Sequence, residues 1–210
     1  MNSRPAAQVT SGLDLTQCTK PTTGAAATAD PYASVPEPTP SGSCLTVPNG
    51  NTVTLSAGDY CSGLHISGNQ SATFQAGVYY VSGGSFKIDG SATGTGVTFF
   101  TTAGNTASIN GGGTTNFTAP TSGTYSGIVF FGDRAGNTST NNTISGGSNT
   151  TITGAIYFPT QSLTYSGGSA SGANCTQIVA DTVTVTGNSY FNSECIGDGM
   201  ADLPAVQVVE

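Results

Sequence analysis

Gly63-Leu64-His65-Ile66-Ser67-Gly68-Asn69 is the stretch from which the rest of the chain can be read. An apolar residue is followed by a small polar residue, a glycine and a second small polar residue. The unit returns as Lys87-Ile88-Asp89-Gly90-Ser91, Ser108-Ile109-Asn110-Gly111 and Thr143-Ile144-Ser145-Gly146. It comes again as Thr164-Tyr165-Ser166-Gly167 and Thr184-Val185-Thr186-Gly187-Asn188. Its glycines, from Gly68 to Gly187, are separated by 22, 21, 35, 21 and 20 residues. Recurrence at such a period marks stacked supersecondary units, none of which buries its apolar face alone.

Each interval holds two further short strands. One follows the glycine by six residues and is marked by Phe74, Phe117 and Ile152. The next is more apolar: Gly77-Val78-Tyr79-Tyr80-Val81, Gly96-Val97-Thr98-Phe99-Phe100, Gly127-Ile128-Val129-Phe130-Phe131 and Gly154-Ala155-Ile156-Tyr157-Phe158, with Gln177-Ile178-Val179-Ala180 in the same slot. Polar and apolar residues alternate in Thr52-Val53-Thr54-Leu55-Ser56 and Thr182-Val183-Thr184-Val185-Thr186, as half-buried strands require. Three strands per turn with Gly, Asn and Ser corners predict an all-β fold. Specifically, they predict a single-stranded parallel β-helix (β-solenoid) of 20–22 residues per coil, expected to be right-handed. Ile66, Ile88, Ile109, Ile144, Tyr165 and Val185 then form one interior column. Each buried aliphatic in such a column contributes about 1.5–3 kcal/mol. Rungs about 4.8 Å apart give a stack on the order of 30 Å. The 35-residue step predicts an excursion between Asp133 and Asn142. An antiparallel sandwich also has short strands and regular turns. It does not explain turn glycines at one period or strand types in one fixed order.

The solenoid is expected over residues 44–197, with a cap or tail over 198–210. Residues 1–43 read as an extended lead-in, because Pro21, Pro31, Pro36, Pro38 and Pro40 interrupt any ladder. It is either a linker or a strap packed along a sheet, covering its edge.

Only 7% of the 210 residues are charged, against roughly 25% in ordinary globular chains. The net charge is −7, with four Lys+Arg in total. No basic stripe exists to neutralise phosphates, which argues against nucleic acid as a partner. The same lack argues against anionic membrane surfaces. No apolar run reaches transmembrane length, so no membrane insertion by this chain is expected. No signal peptide is present, and the opening Met1-Asn2-Ser3-Arg4-Pro5 suggests that a longer protein has been cut.

The five cysteines are Cys18, Cys44, Cys61, Cys175 and Cys195, none in CxxC spacing. With His65 as the only histidine, disulfides in an exported protein fit better than a zinc site. Cys175 and Cys195 lie about one repeat apart and are the first candidate pair. Cys44–Cys61 is the second, with Cys18–Cys44 as its alternative. No metal or cofactor is expected.

Catalytic residues are not expected either. Enzymes on parallel β-helices that act on acidic polysaccharides need clustered carboxylates. Here Asp59, Asp89, Asp133, Asp181, Glu194 and Asp198 are scattered. Asp133-Arg134, at the end of the most apolar strand, is a candidate recognition corner, or else a local ion pair that orders the loop. His65, between Leu64 and Ile66, should face outward. Gly111-Gly112-Gly113 is followed by no helix and no Lys-Ser/Thr pair, so it reads as a corner and not a phosphate loop. Thr182, Thr184 and Thr186 form one rung of a hydroxyl face of the kind that binds ice. Matching rungs on consecutive coils are not evident in the sequence, so a solvated face is expected.

Several blocks are similar to a bacterial family. Pro120-Thr121-Ser122-Gly123-Thr124-Tyr125-Ser126-Gly127-Ile128-Val129-Phe130-Phe131 resembles its APTSG-Y-GI-FF block. Gly154-Ala155-Ile156-Tyr157-Phe158-Pro159, Leu163-Thr164-Tyr165-Ser166-Gly167, Asp59-Tyr60-Cys61-Ser62-Gly63-Leu64, Gln75-Ala76-Gly77-Val78-Tyr79 and the ending Val208-Val209-Glu210 fit as well. From about Ala29 to Glu210 the chain resembles the C-terminal region of TadE/TadG-like proteins of the tight-adherence (Tad/Flp) pilus assembly system. The resemblance implies an exported protein at the bacterial cell surface or in the periplasm. Its N-terminal membrane anchor would lie upstream. The implied role is structural or adhesive, with protein partners in pilus or envelope assembly. The resemblance brings no catalytic residues. A carbohydrate-binding or polysaccharide-active β-helix, with a surface glycan as partner, is the alternative. A weaker likeness, in the Gly-Val-Tyr strands, is to β-solenoid ice-binding adhesin domains.

Overall fold

The computed structural model describes residues 29–110, 112–145, 149–166, 175–186 and 199–200. The chain divides into two units, residues 1–34 with 201–210, and residues 35–200. Of the first, the described part is a turn in which the Asp30 carboxylate and carbonyl accept from the backbone amides of Tyr32 and Ala33.

The second unit is a parallel β-solenoid of about six turns, and no helix occurs among its described residues. Its strands stack on three faces. The first face holds β1 (Thr52–Leu55), β4 (Ser71–Phe74), β7 (Ser91–Thr95), β10 (Thr115–Thr118) and the start of β13 (Thr150–Ser166). The second holds β2 (Gly58–Tyr60), β5 (Gly77–Val81), β8 (Val97–Thr101), β11 (Ile128–Gly132), the middle of β13 and the start of β14 (Thr176–Thr186). The third holds β3 (Leu64–Ile66), β6 (Phe86–Ile88), β9 (Ala107–Ile109), β12 (Asn141–Ser145) and the ends of β13 and β14. The opening motif is the third-face rung.

Register places Ile66, Ile88, Ile109, Ile144, Tyr165 and Val185 opposite one another in sequence. The four isoleucines are fully buried and Tyr165 nearly so. Val185 departs from the expected core column: it holds its register but is 37% exposed, and Val183 is 43% exposed. A column residue is covered by the rungs on either side of it, and β14 is the last rung described.

The marker residues Phe74, Phe117 and Ile152 share a second column with Leu55 and Gly94. Gly94 relieves crowding there. A Cβ would lie 3.0 Å from both the Phe74 Cβ and a Val97 methyl. Without one, the Phe74 and Phe117 rings meet at 5.6 Å across the intervening coil. The interior is otherwise aromatic along the second face, where Tyr79, Phe99 and Phe130 are stacked in register. The buried hydroxyl of Tyr79 donates to the carbonyls of Leu55 and Gln75, so this ring costs no unpaired polar atom.

The expected excursion is split in two. Residues 133–140 leave between β11 and β12, but 119–127 form a second insertion between β10 and β11. The latter ends at Gly127, with φ +77°. A Cβ there would stand 2.5 Å from the backbone of Gly199. The corner therefore admits glycine alone, because the chain past the last coil returns against it.

The cysteine expectations divide. Cys44 and Cys61 are joined by a disulfide, which removes the Cys18–Cys44 alternative. Cys175 is buried and disulfide-bonded. Its expected partner Cys195 and the remaining Cys18 lie outside the described residues. The Cys44–Cys61 bond staples the lead-in to the first coil. Beside it, the buried Asp59 carboxylate accepts from Ser41 Oγ at 3.0 Å and Gly42 N at 2.8 Å. The bond closes a sequence separation of 17, and loops of that size stabilise a fold by about 3 kcal/mol. Replacing both cysteines by serine should cost about that much in denaturant unfolding. Unchanged stability would mean that the staple is idle.

Candidate functional site

Each outward face of the solenoid has its own chemistry. On the second face, pairs of adjacent apolar residues send one ring inward and one outward. Tyr80, Phe100, Phe131 and Tyr157 form the outward ladder, with neighbouring ring centroids 5.1, 5.7 and 4.9 Å apart. Phe100, Phe131 and Tyr157 are nonetheless buried.

Part of their cover is Arg134, which the strap holds in place. Arg134 lies over Phe131 and Tyr157, its guanidinium carbon 4.9 and 5.4 Å from the ring centres. Its Nε donates to Tyr157 Oη at 3.0 Å, and Nη2 donates to the carbonyl of Val35 at 3.0 Å. Glu37 accepts from the Arg134 amide at 2.7 Å and pairs with Nη1 at 3.8 Å. The Tyr80 phenol is pushed up by burial and by the nearby carboxylates of Asp133, Asp59 and Glu37, so it stays protonated.

This changes the reading of the Asp133-Arg134 corner. The Arg134 ion pair is made with Glu37, 97 residues away, and not with Asp133. Asp133 instead accepts from the amides of Ala135 and Ala103 at 2.7 and 2.9 Å, fixing two loops. Arg134 closes the chain's own strap, and Asp133 orders the loops beside it. Arg134→Ala should therefore cost about 1.5–3 kcal/mol, the range for hydrogen bonds to a charged group. It should also speed amide exchange at residues 35–43 without loosening the solenoid strands. Unchanged exchange in that segment would refute the clamp.

The third face carries a cluster of charged side chains open to solvent. Asp89 accepts from Lys87 Nζ at 2.7 Å, His65 Nε2 at 2.8 Å and Asn110 Nδ2 at 2.5 Å. The bonds from Lys87, Asn110 and His65 hold the Asp89 carboxyl well below the usual carboxylate range. His65 faces outward as expected, at the edge of this cluster. A depressed folded pKa gives stabilisation that is present above the unfolded value, near 3.9, and lost as pH falls toward the folded one. The melting temperature of the parent should thus fall toward that of Asp89→Asn on acidification below about pH 4. A pH-independent gap between the two would refute this.

Comparison with family models, with curated proteins and with solved structures finds no match to this chain. Its chemistry therefore has to be argued from the faces themselves. Among the described residues no group of three or more His, Cys, Asp or Glu could hold a metal ion. No described helix is long and apolar enough to cross a membrane. The acids do not converge: Asp59, Asp89 and Asp133 serve three separate structural contacts, and Asp181 accepts from the neighbouring Thr182 hydroxyl. Glu194 and Asp198 lie outside the described residues.

The Thr-x-Thr rung of Thr182, Thr184 and Thr186 has no matching rung on the neighbouring coils. Ser162, Thr164 and Ser166 lie opposite it, and Asn141, Thr143 and Ser145 come next, so only the central threonine recurs. The sealed second face was missed, although it left a signal. Tyr79-Tyr80, Phe99-Phe100, Phe130-Phe131 and Tyr157-Phe158 are runs without alternation, which mark strands covered on both sides.

Proposed function

We propose that the chain is a non-enzymatic extracytoplasmic module of a Tad-type pilus or cell-surface attachment system. The observation that carries this reading is the use made of its reactive groups. The described cysteines are in disulfides, and each described acid of the solenoid is engaged in holding a loop, the strap or a strand surface. Disulfides form and persist in oxidising compartments. A stapled parallel stack presents long fixed faces, which suits a structural or adhesive part. Two of the blocks that resemble TadE/TadG-like proteins fall on structural positions. Gly127–Phe131 is the corner and strand beside Gly199, and Gly154–Phe158 is the next rung of that face.

Deleting the domain from the producing bacterium should reduce surface attachment or piliation. Unchanged attachment and unchanged pili would sink the proposal. Pilus secretion genes beside its gene would support it.

A further inference from the structure

The first face is open to solvent and carries neither charge nor ring at its outward positions. Its central outward column is Thr54, Thr73, Thr93, Asn116 and Thr151, one residue on each of five consecutive coils. Thr95, Thr118 and Thr153 run beside it on the last three of these coils. No register shift interrupts these pairings, in contrast to the second face, where the ladder slips between Ile128 and Phe130. Among the described residues, the hydroxyls of Thr54, Thr73, Thr93 and Thr151 take part in no hydrogen bond within the chain.

This surface is a grid. Rungs repeat about every 4.8 Å, and alternate residues along a strand about every 6.7 Å. Both spacings fall close to repeats of the oxygen lattice of hexagonal ice. Each threonine offers a methyl group, against which water orders itself, and a hydroxyl that anchors that water. A charged side chain would impose its own hydration geometry, and the face has none. A crystalline glycan is the poorer fit. Glycan faces are held by aromatic rings with an apolar body and a polar tip, and Phe100, Phe131 and Tyr157 of the outward ladder are buried on the second face.

We propose that the first face binds ice. The proposal rests on the reading of the chain as an attachment module and names what that module attaches to. The test is ice-recrystallisation inhibition and thermal hysteresis of the purified chain. The parent should be active. Thr93→Lys, at the centre of the grid, should abolish activity, whereas Thr164→Lys on the third face should leave it intact. Both are surface changes, and their melting temperatures should match the parent. Thr73→Lys replaces Thr93→Lys if that variant misfolds. An inert parent, or a Thr93→Lys variant that retains full activity, overturns the proposal. So does binding to cellulose or chitin particles that Thr93→Lys abolishes. Loss of attachment on domain deletion together with an inert purified chain sinks ice binding alone. An ice-active chain whose deletion leaves attachment unchanged sinks the attachment reading alone.

Discussion

Ile88→Asp is expected to unfold the solenoid, whereas Lys87→Asp, one residue away, should leave the melting temperature nearly unchanged. Ile88 is fully buried in the third-face column, with Ile66 on the rung below and Ile109 on the rung above. Removing its side chain alone should cost about 2–5 kcal/mol. A carboxylate in its place adds several kcal/mol more, because nothing in the column can pair with it. Domains of this kind are stable by about 5–15 kcal/mol in total, so the sum approaches or exceeds what is available. Lys87 has a side chain 45% exposed; the change loses its pair with Asp89 and sets a like charge beside it, each worth roughly 0–1 kcal/mol at such exposure. Thermal unfolding followed by circular dichroism reads both. Equal melting temperatures for the two variants would refute the column.

Phe99→Ala is expected to be the most damaging aromatic truncation. Its ring meets Phe86 at 4.6 Å, Phe117 at 4.8 Å, Phe74 and Tyr79 at 5.2 Å, and Phe130 at 5.4 Å. These partners come from all three faces and from the two coils that flank that of Phe99, so no single strand can shift to fill the gap. The expected cost is about 3–5 kcal/mol, from the transfer of the ring and the cavity it leaves. Phe99→Leu keeps most of the volume and should cost markedly less. Denaturant midpoints measured on both variants decide the matter. A loss below about 1 kcal/mol for alanine would show that the site collapses freely, against the packing described.

The readability of this fold follows from its geometry. A parallel stack requires equivalent residues at nearly equal sequence distance, so the isoleucines of the third face announce themselves through glycine spacing. The Cys44–Cys61 staple obeys the same geometry, since Cys44 pairs in parallel with Asp59 and so lies one rung from the strand that ends beside Cys61. What the sequence hides are relations with no period. Glu37 and Arg134 are 97 residues apart, and no local pattern links them. The outward layer of Phe100, Phe131 and Tyr157 resembles ordinary core until its register shows which way each ring points. Val185 carries the same motif as Ile88 and differs only in its place near the end of the stack. The threonine column of the first face escaped because Asn116 interrupts it without loss of register.

The strap contact also sets an order of events in time. Each coil touches its neighbours, so a solenoid can grow rung by rung from a formed pair. The Cys44–Cys61 bond needs only the first coil. The Glu37–Arg134 contact needs the fourth, since Arg134 follows β11 directly. The lead-in is thus tethered early and seated late. In the interval the outward rings of the second face lack the Arg134 clamp. A maturing chain is most prone to aggregate in that window, and its completion can be dated by when Arg134 finds Glu37.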